Sequence, residues 1–434
     1  MIRSPRNVSV AFNHAGLTHY GGAFFLHEFL RLLQIRHFLA RHFDWPRRNS
    51  DYSLSQMILA LTWPIILGLD RLESASLLRS NGTFQFLTGL PSFPDPQTLR
   101  RFLLGAPASF TEQMARVNDR LLQFFTHTPT PRSRLIFDLD STVVTVFGHQ
   151  QGASLGYNPQ HRGKKSYQPL LCVESNSAHL WGARLRPGQT DPHSGTAELF
   201  RDCWSVLPVG IREVRARADA GFYHDGFLSE LENRAVQYAV VAKIYPPLKR
   251  VLPGISYQRV NALWEMGECE YQAQSWSEPR RHVVARRLIE TSEGPPTLFA
   301  LGRYQYRCWV TNLDLSRAGV QQFYDGRAVI EVRIRELRQD FSFANIPTRA
   351  FAANATYLEI VRFAYNIVTA FQRLCLPEDW QSFTLQTLRQ KLFLLPGELT
   401  RPNNRPVLRF NSTPPLEPVA RFIRKRLLNL LPLL

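Results

Sequence analysis

Asp140, Asp219 and Glu331 are the side chains of this sequence best placed for metal-assisted chemistry on a phosphodiester. Such chemistry needs an activated oxygen nucleophile and charge stabilisation on both sides of phosphorus, which two divalent ions roughly 3.5 to 4 Å apart supply. Mg²⁺ is hard and prefers oxygen, so the site is built from a few carboxylates on different elements of one fold. The run Leu135-Ile136-Phe137-Asp138-Leu139-Asp140-Ser141-Thr142 reads as a strand with Ile136, Asp138 and Asp140 on one face and Phe137 and Leu139 on the other. Acids in an apolar strand cost stability unless they bind something. Asp140 is the candidate ligand, with Asp138 as the alternative; the plainer reading is the solvated end of an edge strand.

Asp219 ends Val214-Arg215-Ala216-Arg217-Ala218-Asp219, just before Gly221. Strand ends of open α/β sheets gather ligands, although an Asp in this place also serves as an ordinary turn residue. At 100° per residue, Tyr324, Arg327, Glu331 and Arg338 fall within about a 60° arc of one helix, with Arg335 beside them. Ile330, Ile334, Leu337 and Phe341 form a separate apolar stripe that faces a sheet, and Glu336 projects away from the first arc. The alternative for Glu331 is an ordinary ion pair with Arg335 on an exposed face.

The elements that must position these acids follow from periodicity. Strands are expected over Leu135–Val146, Tyr167–Val173 and Leu180–Leu185, then a helix over Thr196–Val206 and a strand over Val214–Asp219. A helix near Gly226–Asn233 and a strand over Tyr238–Ile244 follow, so the order is β-β-β-α-β-α-β, the order of an α/β ribonuclease-H-like core that lacks its last helix. Residues 245–317 read as a β-rich insertion, with runs at Val251, Tyr257, Tyr271, Val283–Ala285, Thr297–Leu301 and Cys308–Val310. Helical period resumes at Val320, runs to about Phe341, and returns from Ala352 to Leu374, which supplies the missing helix.

The expected division is a helical amino-terminal domain for DNA binding or dimerisation over 1–130, the first part of the core over 131–244 and the insertion over 245–317. The second part of the core, with the glutamate helix, occupies 318–375, and a mixed tail 376–434. Pro96 opens a short helix bearing Arg100 and Arg101, either a helix-turn-helix reader or a plain solvated helix. The tail ends in a basic amphipathic segment, Val419–Leu431, suited to DNA, a partner subunit or a membrane surface.

The net charge is +17, and only six of the 52 basic residues are Lys, so the positive charge sits mainly on guanidinium groups that grip phosphates bidentately. A polyanionic partner follows, although coding bias accounts for part of the Arg-to-Lys ratio. Five scattered cysteines without a Cys-x-x-Cys pair argue against a disulfide framework or a structural zinc site, and fit a reducing cytoplasm. The amino terminus lacks the apolar stretch of a signal peptide, and the longest apolar run, Ile58–Leu69, contains Pro64 and is too short to span a bilayer. No membrane association is expected.

Taken with the three acids, Tyr324, Arg327, Glu331 and the basic residue seven further on resemble the tyrosine-arginine-glutamate-lysine signature of DDE-type bacterial insertion-sequence transposases. Asp140-Ser141-Thr142 looks like that family's first catalytic segment and Arg217-Ala218-Asp219-Ala220-Gly221-Phe222 its second. Gly156-Tyr157-Asn158-Pro159 with Arg162-Gly163-Lys164-Lys165-Ser166-Tyr167 is similar to the loop that follows the first acid, and the β-rich insertion is similar to the family's. The resemblance covers residues 134–374.

It implies a ribonuclease-H-like catalytic core in which Asp140, Asp219 and Glu331 bind two Mg²⁺ ions, with Mn²⁺ as a substitute. Water frees a 3′ hydroxyl at the element's end, and that hydroxyl attacks target DNA. The partners it implies are double-stranded DNA and a second subunit in the synaptic complex. Tyr324, Arg327 and Arg338 would contact phosphates near the cut, with Arg338 standing where the family usually has Lys. Trp309 either stacks on an unpaired base or belongs to the core. Arg162, Lys164 and Lys165 hold backbone phosphates, or form a merely solvated loop. The rival readings are a metal-dependent nuclease on the same fold, a catalytically silent descendant that still binds DNA and, resting only on the tail helix, a basic membrane-surface protein.

Overall fold

Alternation along Arg134–Ser141 sends Leu135, Phe137 and Leu139 into one apolar cluster and leaves Ile136, Asp138 and Asp140 for the opposite face. This strand, β1, is central to a ten-stranded sheet in a computed structural model that describes residues 10–46, 50–128, 132–159, 161–289, 300–301, 303–411 and 416–430. The chain divides into two compact units, one of residues 103–370 and one of residues 1–102 with 371–434.

In the first of these, β1 is followed by β2 (Leu170–Glu174), β3 (Leu180–Arg184), helix α1 (Thr196–Ser205), β4 (Glu213–Ala218), α2 (Asp225–Glu232) and β5 (Gln237–Val241). The strands lie in the order β3-β2-β1-β4-β5. Strands β1, β4 and β5 run parallel, while β2 is antiparallel to both of its neighbours. The element order read from periodicity is the order of this sheet. The strand expected over Leu135–Val146, however, ends at Ser141, and Val144–Thr145, Ser154–Leu155 and Lys165–Tyr167 form separate short strands between β1 and β2.

The same sheet continues beyond β5 through β8 (Tyr304–Thr311), β7 (Arg280–Leu288) and β6 (Glu265–Tyr271), all antiparallel, so the segment after β5 extends the sheet that carries β1. Val251, expected in a strand, instead ends a short helix, Pro246–Val251, because the tandem prolines at 246 and 247 preset the first helical turn. The strand expected over 297–301 lies outside the described residues except at Ala300–Leu301, which pairs with β8. The amino-terminal residues 1–9, read as lacking a signal peptide, also lie outside them.

Two apolar clusters sandwich the sheet. One joins Phe137, Trp181, Phe200, Phe227 and Tyr238 under α1 and α2; the other joins Ala239, Val283, Ala285, Trp309 and Val320 under helix α3 (Arg317–Asp325). Helix α4 (Ala328–Asp340) contacts β1 and buries Ile330, Ile334 and Leu337, with Phe341 just beyond its end, which is the apolar stripe expected of it.

In the other unit, Leu54–Leu67 is opened by a Ser53/Gln56 capping box, and Arg389 donates to the carbonyls of Ile65 and Ile66 at its far end, both at 2.7 Å. This unit is not purely helical in its amino-terminal part: Leu17–Thr18 pairs with Gly397–Thr400, which pairs with Val407–Phe410. Two residues are too few for alternation to reveal a strand. Among the described residues, no helix is long and apolar enough to cross a membrane.

Candidate active site

Parallel pairing of β1 with β4 sets Asp138 opposite Arg217 and Leu139 opposite Ala218, so Asp140 and Asp219 follow at the next step of the same register. Both acids therefore sit at the carboxyl ends of adjacent parallel strands. Asp219 leaves β4 in extended conformation and caps the turn Ala220–Phe222, its Oδ1 accepting from the Gly221 amide at 2.9 Å. The Oδ1 of Asp140 accepts from the Ser141 amide at 2.8 Å.

Across from them, Glu331 stands exposed in the first turn of α4. An open pocket of about 600 Å³ is lined by Asp140, Ser141, Thr142, Glu331, Arg335 and Arg338. Burial raises the Asp140 carboxyl to about 6; the Arg327 guanidinium opposes the rise, and the negative charges of Asp219 and Glu331 add to it. Asp219 and Glu331 thus both lie within electrostatic reach of Asp140.

Asp138 has a different fate. It is fully buried and clamped by Arg217, which donates from Nε to Oδ1 at 2.6 Å and from Nη2 to Oδ2 at 2.9 Å. Burial pushes its carboxyl up and Arg217 pulls it back. The same guanidinium also donates to Ser175 Oγ at 2.7 Å and to the Phe323 carbonyl at 2.8 Å, tying β4 to β1, to the turn after β2 and to α3. Of the two acids on this face of β1, Asp140 is the one left facing the pocket.

The single helix expected from Val320 to Phe341 is two. It breaks between α3 and α4 at Gly326–Arg327, where the Arg327 amide donates to Tyr324 O at 2.8 Å and the Ile330 amide to Arg327 O at 2.9 Å. These tighter i, i+3 bonds turn Arg327 inward, out of the arc shared with Glu331. Only 6% of Arg327 is exposed; its Nη2 donates to Leu139 O and lies against Asp140 Oδ2, both at 3.2 Å. Burial works against its charge, but Asp140, Tyr324 and Asp219 outweigh it and raise its pKa. Sequence reasoning assigned no role to Arg217 and placed Arg327 on the helix surface. The available signal was that Asp138 and Arg217 each lie two residues before a candidate acid, on the same strand faces.

Trp309 is 2% exposed and packs in the cluster under α3 with its ring 6.0 Å from that of Tyr324, as in the core alternative. Tyr324 is half-buried, and burial raises its hydroxyl. Arg162, Lys164 and Lys165 are exposed on the loop after β1, around Gly163 at φ +75°, whose left-handed backbone favours glycine. That loop is anchored by a small sheet of Val144–Thr145, Lys165–Tyr167 and Ser154–Leu155, and by Asn158, whose Oδ1 accepts from the His161 amide at 2.9 Å.

The donor chemistry fits a hard divalent cation. Asp140 and Glu331 line one pocket and Asp219 ends the adjacent strand; the charges of Asp219 and Glu331 oppose ionisation of Asp140, a repulsion that a bound cation relieves. They are adjacent rather than fully gathered: among the described residues no three acidic, imidazole or thiol groups stand close enough together to hold a metal ion.

Comparison with known families matches residues 2–432 to one described as transposase DDE domain group 1. Comparison with curated proteins gives no match. Among solved structures, a cryo-EM structure of a piggyBac transposase synaptic complex with hairpin DNA aligns at 12% identity and a TM-score of 0.46. The alignment covers 94% of this chain and 82% of that one.

Proposed function

The chain belongs to the DDE transposase family, group 1, and from that membership we propose a DNA transposase that cleaves element ends and joins them to target DNA through Asp140, Asp219 and Glu331. The observation that carries this reading is the register of β1 on β4, which sets Asp140 and Asp219 side by side at strand ends, with Glu331 on the same pocket as Asp140. The strand order β3-β2-β1-β4-β5, with only β2 reversed, supports a ribonuclease-H-like core.

In this reading the three carboxylates hold Mg²⁺, which when bound supplies Lewis-acid stabilisation of the phosphorane-like transition state and a more acidic water. The chain's own residues do the positioning. Arg327 fixes the Asp140 carboxylate from behind, and Arg217 fixes the strand beneath it and the end of α3. Arg335 and Arg338 present guanidinium groups at the pocket wall, suited to backbone phosphates beside the scissile bond. Exposed Arg162, Lys164 and Lys165 extend that positive surface beyond the end of β1. Hydrolysis places water oxygen on phosphorus and releases the 3′ oxygen as a hydroxyl; joining repeats the displacement with that hydroxyl as nucleophile. A second subunit brings the second element end.

The test is cleavage and strand transfer by purified protein on duplexes carrying its element's ends, with Mg²⁺ or EDTA, beside Asp140→Ala, Asp219→Ala and Glu331→Ala. Metal-dependent joining that each substitution abolishes, with duplex binding retained, is the expected result. Cutting without joining would replace the transposase with a nuclease.

A further inference from the structure

The basic segment near the carboxyl terminus forms a helix, Leu416–Leu430, whose apolar stripe is already in use. Val419, Ile423, Leu427 and Leu430 recur at intervals of four, four and three residues and are buried, and the helix packs against Ala23–Leu32, which buries Phe25, Leu26, Phe29 and Leu30. A helix lies in a membrane interface by immersing its apolar face. Here that face is covered by the helix's own unit, so the lipid-surface option loses its physical basis.

What remains outward is mainly charge, with Leu428 exposed among the cations. At 100° per residue, Arg421, Arg424 and Lys425 fall within about 100° on the side opposite the stripe, and all three are exposed. Arg421 meets Glu417 one turn back, while Arg426 lies on the shoulder with its guanidinium 5.5 Å from the centre of the Phe422 ring. The imbalance is not confined to this helix. The unit that contains it, residues 1–102 and 371–434, has 21 Arg and Lys against 10 Asp and Glu, nearly twice the net charge of the larger unit that holds the acids.

We propose that the outer face of Leu416–Leu430 is a docking surface for duplex DNA, with Arg421, Arg424 and Lys425 neutralising backbone phosphates independently of sequence. This rests on the transposase reading and deepens it by assigning DNA contact to a surface outside the acidic pocket. The occupant is argued from charge complementarity: three cations on a rigid helix match a polyanion, and helix rise spaces them along a phosphate strand.

The experiment measures affinity of the full chain for a generic 30-base-pair duplex as a function of salt, for wild type, R421Q/R424Q/K425Q and R421K/R424K. Each neutralised phosphate contributes a log–log slope of about −0.9, so the glutamine variant should bind at least about tenfold more weakly at low salt, with a slope shallower by about two to three. The lysine variant should bind as wild type does, which separates charge from folding. Cleavage of end-bearing duplex at saturating DNA should be unchanged in all three. Equal affinity and slope in the glutamine variant would overturn this proposal while leaving the transposase reading intact. Wild type without DNA affinity would overturn both. Loss of binding to phosphatidylserine vesicles with unaltered DNA binding would replace DNA with a lipid surface.

Discussion

Arg217 and Asp138 form a bidentate ion pair across adjacent parallel strands, two residues before Asp219 and Asp140 respectively. The pair fixes the relative height of the two strand ends, and through the Phe323 carbonyl it also fixes the end of α3, from which the Glu331 helix departs. All three candidate catalytic acids are thus referred to one buried guanidinium.

Removing one partner leaves the other as an uncompensated buried charge. Arg217→Ala and Asp138→Ala should each destabilise the unit of residues 103–370 by about 3 to 5 kcal/mol. The double replacement R217M/D138L should recover much of that loss while still failing to cleave DNA, because the links to Ser175 and Phe323 are gone. Urea unfolding followed by tryptophan fluorescence measures the first effect. Additive losses in the double variant would mean that the pair is not coupled.

Gly326 sits where a Cβ would collide with the Nη1 atom of Arg217. Its backbone is ordinary right-handed helix, so the requirement is space rather than conformation. Because four hydrogen bonds hold Arg217, the guanidinium yields only at a cost. Gly326→Ala should lower stability by about 1 to 3 kcal/mol and slow cleavage by shifting α4 relative to β1. A variant as stable and active as wild type would show that Arg217 relaxes freely.

Strand alternation made the acids legible, since Asp138 and Asp140 break an otherwise apolar pattern and the β-β-β-α-β-α-β order follows from periodicity alone. The break at Gly326–Arg327 was not legible. Apolar residues keep helical spacing through it, and a helical wheel assumes a straight axis, so the wheel placed Arg327 beside Glu331 when two short i, i+3 bonds turn it inward. The choice between Asp138 and Asp140 was also closed to sequence, because it is decided by Arg217 from 79 residues away. The tail helix showed its amphipathicity, but not that Ala23–Leu32 covers its apolar face.

Asp140 should make stability depend on pH. Its folded pKa is about 6, above its ordinary 3.8, so the folded state takes up a proton that the unfolded chain has already lost. Below about pH 4 both states are protonated and nothing is lost; as pH rises through 4 to 6 the folded state pays for an ionised carboxylate, up to about 3 kcal/mol above pH 6. Asp140→Asn, which can still accept from Arg327, should therefore melt higher than wild type at pH 8 without metal, by less than that limit because Arg327 loses its counter-charge. The two should converge at pH 4. Thermal melts across this range in EDTA test it, and a variant that melts lower at pH 8 would show that the Arg327 pair outweighs burial.

Glu331 and Glu336 lie on one helix and separate function from stability. Glu331 is exposed on the pocket, so Glu331→Ala should change stability by no more than about 0.5 kcal/mol while lowering cleavage by about 10³-fold or more, given the several kcal/mol of transition-state stabilisation that a metal site supplies. Glu336 is 7% exposed, accepts from Arg333 Nη1 at 3.1 Å, and its negative charge acts on the buried Tyr365 hydroxyl. Glu336→Ala leaves Arg333 without that acceptor and should cost about 1 to 3 kcal/mol, with cleavage per folded molecule nearly unchanged. Calorimetry beside single-turnover cleavage measures both quantities on the same preparations. The reverse pattern, with Glu336→Ala inactive and Glu331→Ala active, would move the third ligand one turn along the helix and require α4 to rotate when DNA binds.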